Sequence, residues 1–483
     1  MLLLGLDLGT QSLKAMVCDE RLTVLGQHAV SYPLAYPAEQ AAEQDPRDWE
    51  RALGPAIAGA LAAANAGAAA IAAIAIAGQL DGCIAVDAAG APVHPALIWQ
   101  DRRATAEAAQ VAASDVLSHT GQVADASHMA PKIVWLRAHG VIAARFHQPV
   151  SYLVERLTGA AVIDPALAST TMLLDLTTAR WSPPMLDAFA ITSAELPALR
   201  GTCEVAGVLT AEGARLTGLR AGTPVAVGTG DDFANVLGAG VTTPGSIVCS
   251  IGTAEVVGSI SPVIVLDRMA AEPMVETHVF PGGGYFIEHP GWLAGGAVRW
   301  AVQLLGLGSD AELDALAATI PAGAGGLTFL PALAGAMTPV WRPHARGTLH
   351  GLSASHTRAH VARAVLEGLT FASRDVVDRL IALGVPARDV LLLGGGARSR
   401  IWAQLRADAL GLRHATAANV DTCPLGAAMI AAVAAGAHRD LASAAACAAP
   451  PSETFTPGSS DTVDALGAAY ARYQALGRLL GDV

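Results

Sequence analysis

This sequence predicts an α/β fold of two related lobes facing one cleft, and three observations carry that reading. The first is a turn that occurs twice, half a chain apart. Leu2 to Leu6 runs into Asp7-Leu8-Gly9-Thr10-Gln11-Ser12 and then Leu13 to Cys18, and Ser246 to Ser250 runs into Ile251-Gly252-Thr253-Ala254 and then Glu255 to Ser259. Each is an apolar run, a Gly-Thr turn and a second apolar run, which reads as strand, tight turn, strand. The second observation is length, because 483 residues exceed what one ordinary core serves. The third is that strand-like and helix-like segments alternate in both halves, as they do in α/β proteins. The expected domains are 1–240 and 241–483, with no low-complexity linker marking the boundary.

The elements follow in order. Residues 1 to 30 read as three strands, turning at Gly9-Thr10 and Asp19-Glu20. Asp48 is expected to begin a helix that ends in an Ala-Gly stretch, and Ile71 to Ala77 forms the next strand. That strand stops at Gly78-Gln79-Leu80-Asp81-Gly82, and another begins at Cys83. Helical periodicity runs from Arg102 to about Gly159, with interruptions at Gly121 and Pro131. Pro224 to Val227 is a short strand leading into Gly228-Thr229-Gly230-Asp231-Asp232. After the second Gly-Thr hairpin come a helix around Gly295 to Leu305, a Pro- and Gly-rich loop from Pro331 to Arg346, and a long helix from Thr357 to about Leu383. Val390 to Leu393 is a buried strand entering Gly394-Gly395-Gly396, and Ser399 starts the next helix.

Composition excludes several classes. Hydrophobic residues make up 52% and charged residues 15%, which is globular rather than disordered. A net charge of −12 argues against nucleic acid as a partner, since phosphate backbones are gripped by clustered Lys and Arg. The six cysteines are scattered without a C-x-x-C pair, so a zinc site or disulfide framework is not expected and a reducing cytoplasm fits. Residues 52 to 80 lack charge, but they are mostly Ala and Gly with Pro55 and Asn65 inside. Helix followed by strand accounts for them better than a membrane span.

Chemistry is expected where strands end, because side chains there line the cleft of an α/β protein. A Gly-Thr turn offers close backbone amides and a hydroxyl donor, so Gly9, Thr10 and Gln11, together with Gly252 and Thr253, can form nests for phosphate oxygens. Asp7, at the end of a buried strand, either needs a partner such as a metal ion or caps its own turn. Asp231 either accepts a proton from a substrate or caps the helix expected near Phe233. No Walker A loop is present.

Several segments together resemble the FGGY family of carbohydrate kinases. The specific match is Gly347-Thr348-Leu349-His350-Gly351-Leu352 followed, after seven residues, by His360-Val361-Ala362-Arg363-Ala364-Val365-Leu366-Glu367. Ala130-Pro131-Lys132-Ile133-Val134-Trp135-Leu136 resembles the first family signature, with Met129 where a small Pro, Ser or Thr is usual. Among members, xylulose kinases are most similar, through Gly5 to Thr10, Glu43-Gln44-Asp45-Pro46 and Leu391 to Ser399. The resemblance implies a two-lobed actin/hexokinase-like ATPase fold of duplicated ribonuclease H-like domains, and an ATP- and Mg²⁺-dependent kinase for a small sugar. It makes Asp231 the catalytic base and Asp7 the holder of Mg²⁺ through water. It places Gly394, Gly395, Gly396 and Ala397 against the adenine and ribose, and Gln79, Leu80, Asp81, Trp99, Asp101, Asp231 and Asp232 around the sugar. It leaves a homodimer open. Leu425-Gly426-Ala427-Ala428 is expected to serve tight helix packing.

Two departures bear on the substrate. Xylulose kinases usually carry histidine in Gln-Met-His-Gly, whereas here the segment is Gln79-Leu80-Asp81-Gly82, and an ionised carboxylate only accepts hydrogen bonds. The loop Leu330 to Pro339 lacks the Glu-Arg pair common in that group, so its contacts over the site must differ. The expected acceptor is D-xylulose, phosphorylated at position 5. A kinase for another pentulose or a sugar alcohol is the alternative within enzymes, and a catalytically silent sugar or nucleotide sensor is the alternative outside them.

Overall fold

The computed structural model of the chain describes residues 1–270, 273–342 and 344–481. Pro343, inside the loop expected from Pro331 to Arg346, lies outside the described residues.

The duplication predicted from the two turns is present in the sheets. In the N-terminal half, Leu2–Leu8 pairs antiparallel with Ser12–Asp19 across the Gly9 turn and parallel with Ile71–Gly78 on its other side. In the C-terminal half, Gly245–Ile251 pairs antiparallel with Ala254–Ser261 across the Gly252 turn and parallel with Ala387–Leu393. Each first strand is thus central in a seven-stranded mixed sheet. A strand with neighbours on both edges and helices over its faces is buried throughout, which is why Leu3, Leu4, Leu6 and Leu8 are all inaccessible to solvent.

Local chemistry sets the helix limits. The first helix spans Pro46–Ala63 rather than starting at Asp48, because Asp45 accepts from Arg47 N–H as its cap and Pro46 has no N–H to leave unsatisfied. Pro131 does not interrupt the helix Met129–Ala138, since it falls in the first turn, where the missing donor would have had no partner. Gly121 does end a helix, in a left-handed conformation. The long helix Arg358–Ala382 begins with a reciprocal cap between Thr357 and His360. Residues of the two family-like signatures brace this framework. Glu367 accepts from Arg363 Nε at 2.7 Å and Gly323 N–H at 2.9 Å. Lys132 is fully buried and donates to the carbonyls of Asp81 and Ile98 at 2.8 Å each, and to Ser127 O.

The helix Thr422–Ala434 belongs to the C-terminal half of the sequence but packs on the N-terminal sheet and on the helix Asp231–Gly238. A shared apolar cluster results, joining Leu3, Ala75 and Phe233 to Val248, Leu391 and Ala428. Its close approach rests on Gly426, where an added Cβ would sit 2.0 Å from Ala234 O. Gly426→Val is therefore expected to cost about 3 kcal/mol through overpacking, read as a lower urea midpoint. It should lower activity as well, because it displaces the helix that carries Asp231. Among the described residues no helix is long and apolar enough to cross a membrane, and all six cysteines are free.

Candidate active site

A cavity of about 270 Å³ opens between the lobes, lined from the N-terminal half by Thr10, Gln79, Asp81 and Asp231 and from the C-terminal half by Glu276 and Glu288. Asp231 is the first residue of the helix Asp231–Gly238, whose cap is Gly230. Asp231 does not cap this helix, contrary to the alternative the sequence left open, although its Oδ1 accepts from Asp232 N–H at 3.1 Å. Burial, then the nearby Asp7 charge, pushes the Asp231 carboxyl up to about 7. Asp232 is likewise held well above its ordinary value, by burial and then by the facing charge of Glu288.

Asp7 ends its strand 6% exposed, with Lys14 Nζ 3.6 Å from Oδ2 and Lys14 held in turn by Asp421 at 3.0 Å. Burial raises the Asp7 carboxyl although Lys14 opposes the shift. Asp7 and Asp231 are thus two recessed carboxylates, the charge of Asp7 adding to the burial that raises Asp231, with the partly exposed ammonium of Lys14 beside Asp7. That donor set fits a hard divalent cation. Among the described residues no group of three or more His, Cys, Asp or Glu side chains could hold a metal alone. The fit is to Mg²⁺ arriving with substrate phosphates, which is how this ion is usually bound.

The first Gly-Thr turn is fixed from several directions. Trp99 Nε1 donates to Thr10 Oγ1 at 2.9 Å, Gln44 Nε2 to Thr10 O at 2.6 Å, and Tyr32 OH to Gly9 O. Trp99 lines the cavity, so the indole expected to face sugar also braces the first Gly-Thr turn. Gln11 is exposed beside it. At the second turn Gly252 and Thr253 are exposed, and Thr253 Oγ1 accepts from Arg299 Nη2 at 2.9 Å. Gly394 and Ala397 line a separate cavity of about 310 Å³ with Arg398, Arg400 and Asn419. The glycines there differ in purpose. Gly394 takes a φ of +79°, a Cβ on Gly396 would strike Ile251 Cγ2 at 2.3 Å, and Gly395 faces open space. The expectation that these residues lie against adenine and ribose stands as a proposal.

Asp101 does not join the sugar-side group. It is fully buried, Oδ2 accepts from Ala42 N–H and Arg103 Nε at 2.9 Å each, and the carboxylate anchors a loop instead of facing the cavity. Gln79 and Leu80 do line the cavity, and Gln79 Nε2 donates to Gln44 Oε1 at 2.9 Å.

Asp81 stands at a φ of +59°, its N–H donating to Gln148 Oε1 at 3.1 Å, with the side chain directed at His128. His128 Nδ1 lies 3.1 Å from Asp81 Oδ1 and 3.0 Å from Thr170 O, and Nε2 lies 3.2 Å from Glu276 Oε1. Both ring nitrogens face acceptors, so both donate and the ring is an imidazolium. Burial opposes that charge, but the Glu276 and Asp81 carboxylates outweigh it and hold His128 well above its ordinary value. Glu276 Oε2 continues to His278 Nε2 at 3.7 Å, which lies 3.2 Å from Glu288 Oε1.

Sequence reasoning missed His128, Glu276, His278 and Glu288, together with Arg102 paired to Asp125 at 2.7 Å and Trp341, whose ring lies 5.2 Å from the Arg102 guanidinium. A signal existed in Glu276-Thr277-His278. Two polar residues at the period of a strand share one face, and here that strand is buried. The loop from Pro331 does reach the site, through Met337, Pro339 and Trp341, and Met337 O accepts from His289 Nε2 at 3.1 Å.

Comparison with known proteins matches each half of the chain to a family domain. Residues 2–238 match the N-terminal domain of the FGGY family of carbohydrate kinases, and residues 247–435 match its C-terminal domain. A glycerol kinase of Gloeobacter violaceus is 35% identical over 84% of this chain and 82% of its own. A xylulose kinase of Escherichia coli K12 is 33% identical over 77% of this chain and 78% of its own. The crystal structure of a xyloylose kinase from Brucella ovis superposes with a TM-score of 0.92 at 30% identity, covering 100% of both chains.

Proposed function

Because the chain belongs to the FGGY family of carbohydrate kinases, and so is a sugar kinase of the two-domain actin/hexokinase-like fold, we propose that it transfers the γ-phosphoryl group of ATP to a terminal hydroxyl of D-xylulose, giving D-xylulose 5-phosphate. The observation that carries this reading is a recessed, ionisable Asp231 in one cavity with Thr10 of the first phosphate-type turn. A sugar hydroxyl is a weak nucleophile, so a carboxylate that accepts its proton as the new O–P bond forms removes charge where it would accumulate. ADP leaves as the bond to the γ-phosphorus breaks. Gly9-Thr10 and Gly252-Thr253 bracket the phosphates, while Gly394 to Ala397 flank the nucleoside. Asp7 is the residue that would hold Mg²⁺ brought in with the nucleotide, and the ion would supply positive charge to offset the phosphates. Exclusion of water by closure of the cleft protects ATP from hydrolysis.

A pentulose is favoured over glycerol by the number of acceptors around the cavity. Gln79 Oε1 and Glu288 Oε2 are buried without a partner, and Asp81, Asp231 and Asp232 add carboxylates. Glycerol keeps only two hydroxyls after one is phosphorylated, too few to meet them. The second reading, glycerol as acceptor, draws on the 35% identity to a glycerol kinase. ADP release coupled to an optical readout, across D-xylulose, other pentuloses, pentitols and glycerol, separates them. Highest kcat/KM on D-xylulose is expected. A preference for glycerol would remove the pentulose reading, and ATP binding without sugar-stimulated ADP release would remove the kinase reading in favour of a silent sensor.

A further inference from the structure

A chain of polar contacts from Asp81 to Glu288 crosses the cleft, hydrogen-bonded from Asp81 through His128 to Glu276 and continued by His278, which stands 3.7 Å from Glu276 and 3.2 Å from Glu288. In the N-terminal half, Asp81 Oδ1 is held by His128, itself 3% exposed. His128 reaches across to Glu276, which also accepts from Val123 N–H at 3.0 Å. His278 then ties Glu276 to Glu288. Gln122 settles the direction of the last link. Its Oε1 accepts from Met172 N–H at 2.8 Å, so its amide N–H meets His278 Nδ1 at 3.4 Å, and His278 Nε2–H is left to donate to Glu288 Oε1. Glu288 is 2% exposed, faces the cavity, and has no partner for Oε2. A buried acceptor left unmade is costly, and the natural completion is a donor from a molecule in the cavity.

We propose that this chain is the specificity device of the enzyme: it fixes the carboxylates of Asp81 and Glu288 as acceptors, one from each lobe, for hydroxyls of the sugar remote from the phosphorylated one. The inference rests on the kinase reading and adds its selectivity. The preferred substrate is an uncharged polyol or ketose with donors at both of these positions, and a sugar acid is rejected because its carboxylate would meet Asp81, Asp232 and Glu288. His128 is a positioning residue, acting through Asp81. Since Asp81 and Glu288 come from different lobes and line one cavity, a substrate that meets both bridges the cleft.

The test is kcat/KM by coupled ADP release for D-xylulose, its monodeoxy analogues and D-xylonate, with the full chain and with Glu288→Ala, Glu288→Gln and His128→Asn. In the unaltered enzyme, removing the hydroxyl that meets Glu288 is expected to lower kcat/KM about 30-fold, the usual effect of a hydrogen bond to a charged group. In Glu288→Ala, D-xylulose itself should fall by about the same factor, and the analogue should lose no more than about threefold further, because the partner is already gone. Should the alanine variant fail to fold, Glu288→Gln, which keeps the shape, should still narrow the discrimination. His128→Asn should raise KM for sugar more than it lowers kcat and leave KM for ATP unchanged. Equal loss from the analogue with and without Glu288, or turnover of D-xylonate at the rate of D-xylulose, would overturn the specificity chain while leaving a kinase. No turnover of any polyol by the unaltered enzyme would overturn both.

Discussion

Asp231→Asn is expected to lower kcat about 10³-fold while leaving the protein more stable than its parent at pH 8. Both effects come from one carboxylate. Burial and the Asp7 charge push the Asp231 carboxyl up to about 7, so the folded protein holds that proton more tightly than the unfolded chain does. The stabilising contribution of such a group is complete below the ordinary carboxylate range and is lost as pH rises through about 7. Asparagine carries no charge at any of these pH values, so the variant keeps what the parent loses. Melting temperatures should therefore differ most at pH 8, with the difference shrinking as pH falls through about 7 toward the ordinary carboxylate range. Turnover follows the opposite form, because only the ionised carboxylate accepts the hydroxyl proton, and kcat/KM of the parent should fall as pH drops below about 7. A variant with parental turnover would remove Asp231 as the base. A variant less stable at pH 8 would show that this residue supports the helix instead.

What was legible in the sequence is what local patterns encode. The two Gly-Thr hairpins, the strand ends carrying Asp7, Asp81 and Asp231, and the tight helix at Gly426 each announce themselves within ten residues. The misplaced elements are also local, and each has a physical reason. Asp45 and Pro46 make a better helix start than Asp48, and a proline in a first turn costs no hydrogen bond. Asp101 was expected beside the sugar from the family resemblance, but the Ala42 N–H and Arg103 draw its carboxylate inward. The chain from Asp81 to Glu288 was not legible, since its members come from four segments spread over two hundred residues and meet only when the lobes do. Long-range polar networks leave a one-dimensional trace only as buried polar residues in apolar strands, as at Glu276, His278 and Glu288.

The largest expected loss of stability comes from a different buried pair. Glu255 and Arg406 are 0% and 1% exposed and meet through two bonds, Nη1 to Oε1 at 2.7 Å and Nη2 to Oε2 at 2.6 Å. Ser373 Oγ donates to Oε1 at 2.8 Å, and the guanidinium lies 4.5 Å from the centre of the Trp402 ring. Three elements converge there: the strand leaving the Gly252-Thr253 turn, the helix Arg358–Ala382 and the helix Arg400–Leu410 that follows Gly394 to Ala397. Arg406→Met strands a carboxylate in the core and should cost about 3–5 kcal/mol, a fall in melting temperature on the order of 10 °C. Replacing both residues, as Glu255→Met with Arg406→Met, removes the uncompensated charge and should recover most of that loss, since apolar side chains of similar volume often serve such sites as well. The double variant separates stability from function. If the pair merely fills the core, KM for ATP returns with the melting temperature. The expected result is that it does not return, because this pair is the common anchor of the two loops proposed to hold the nucleotide, and methionine packing restores volume without fixing their relative position. A double variant with parental KM for ATP would assign the pair to stability alone.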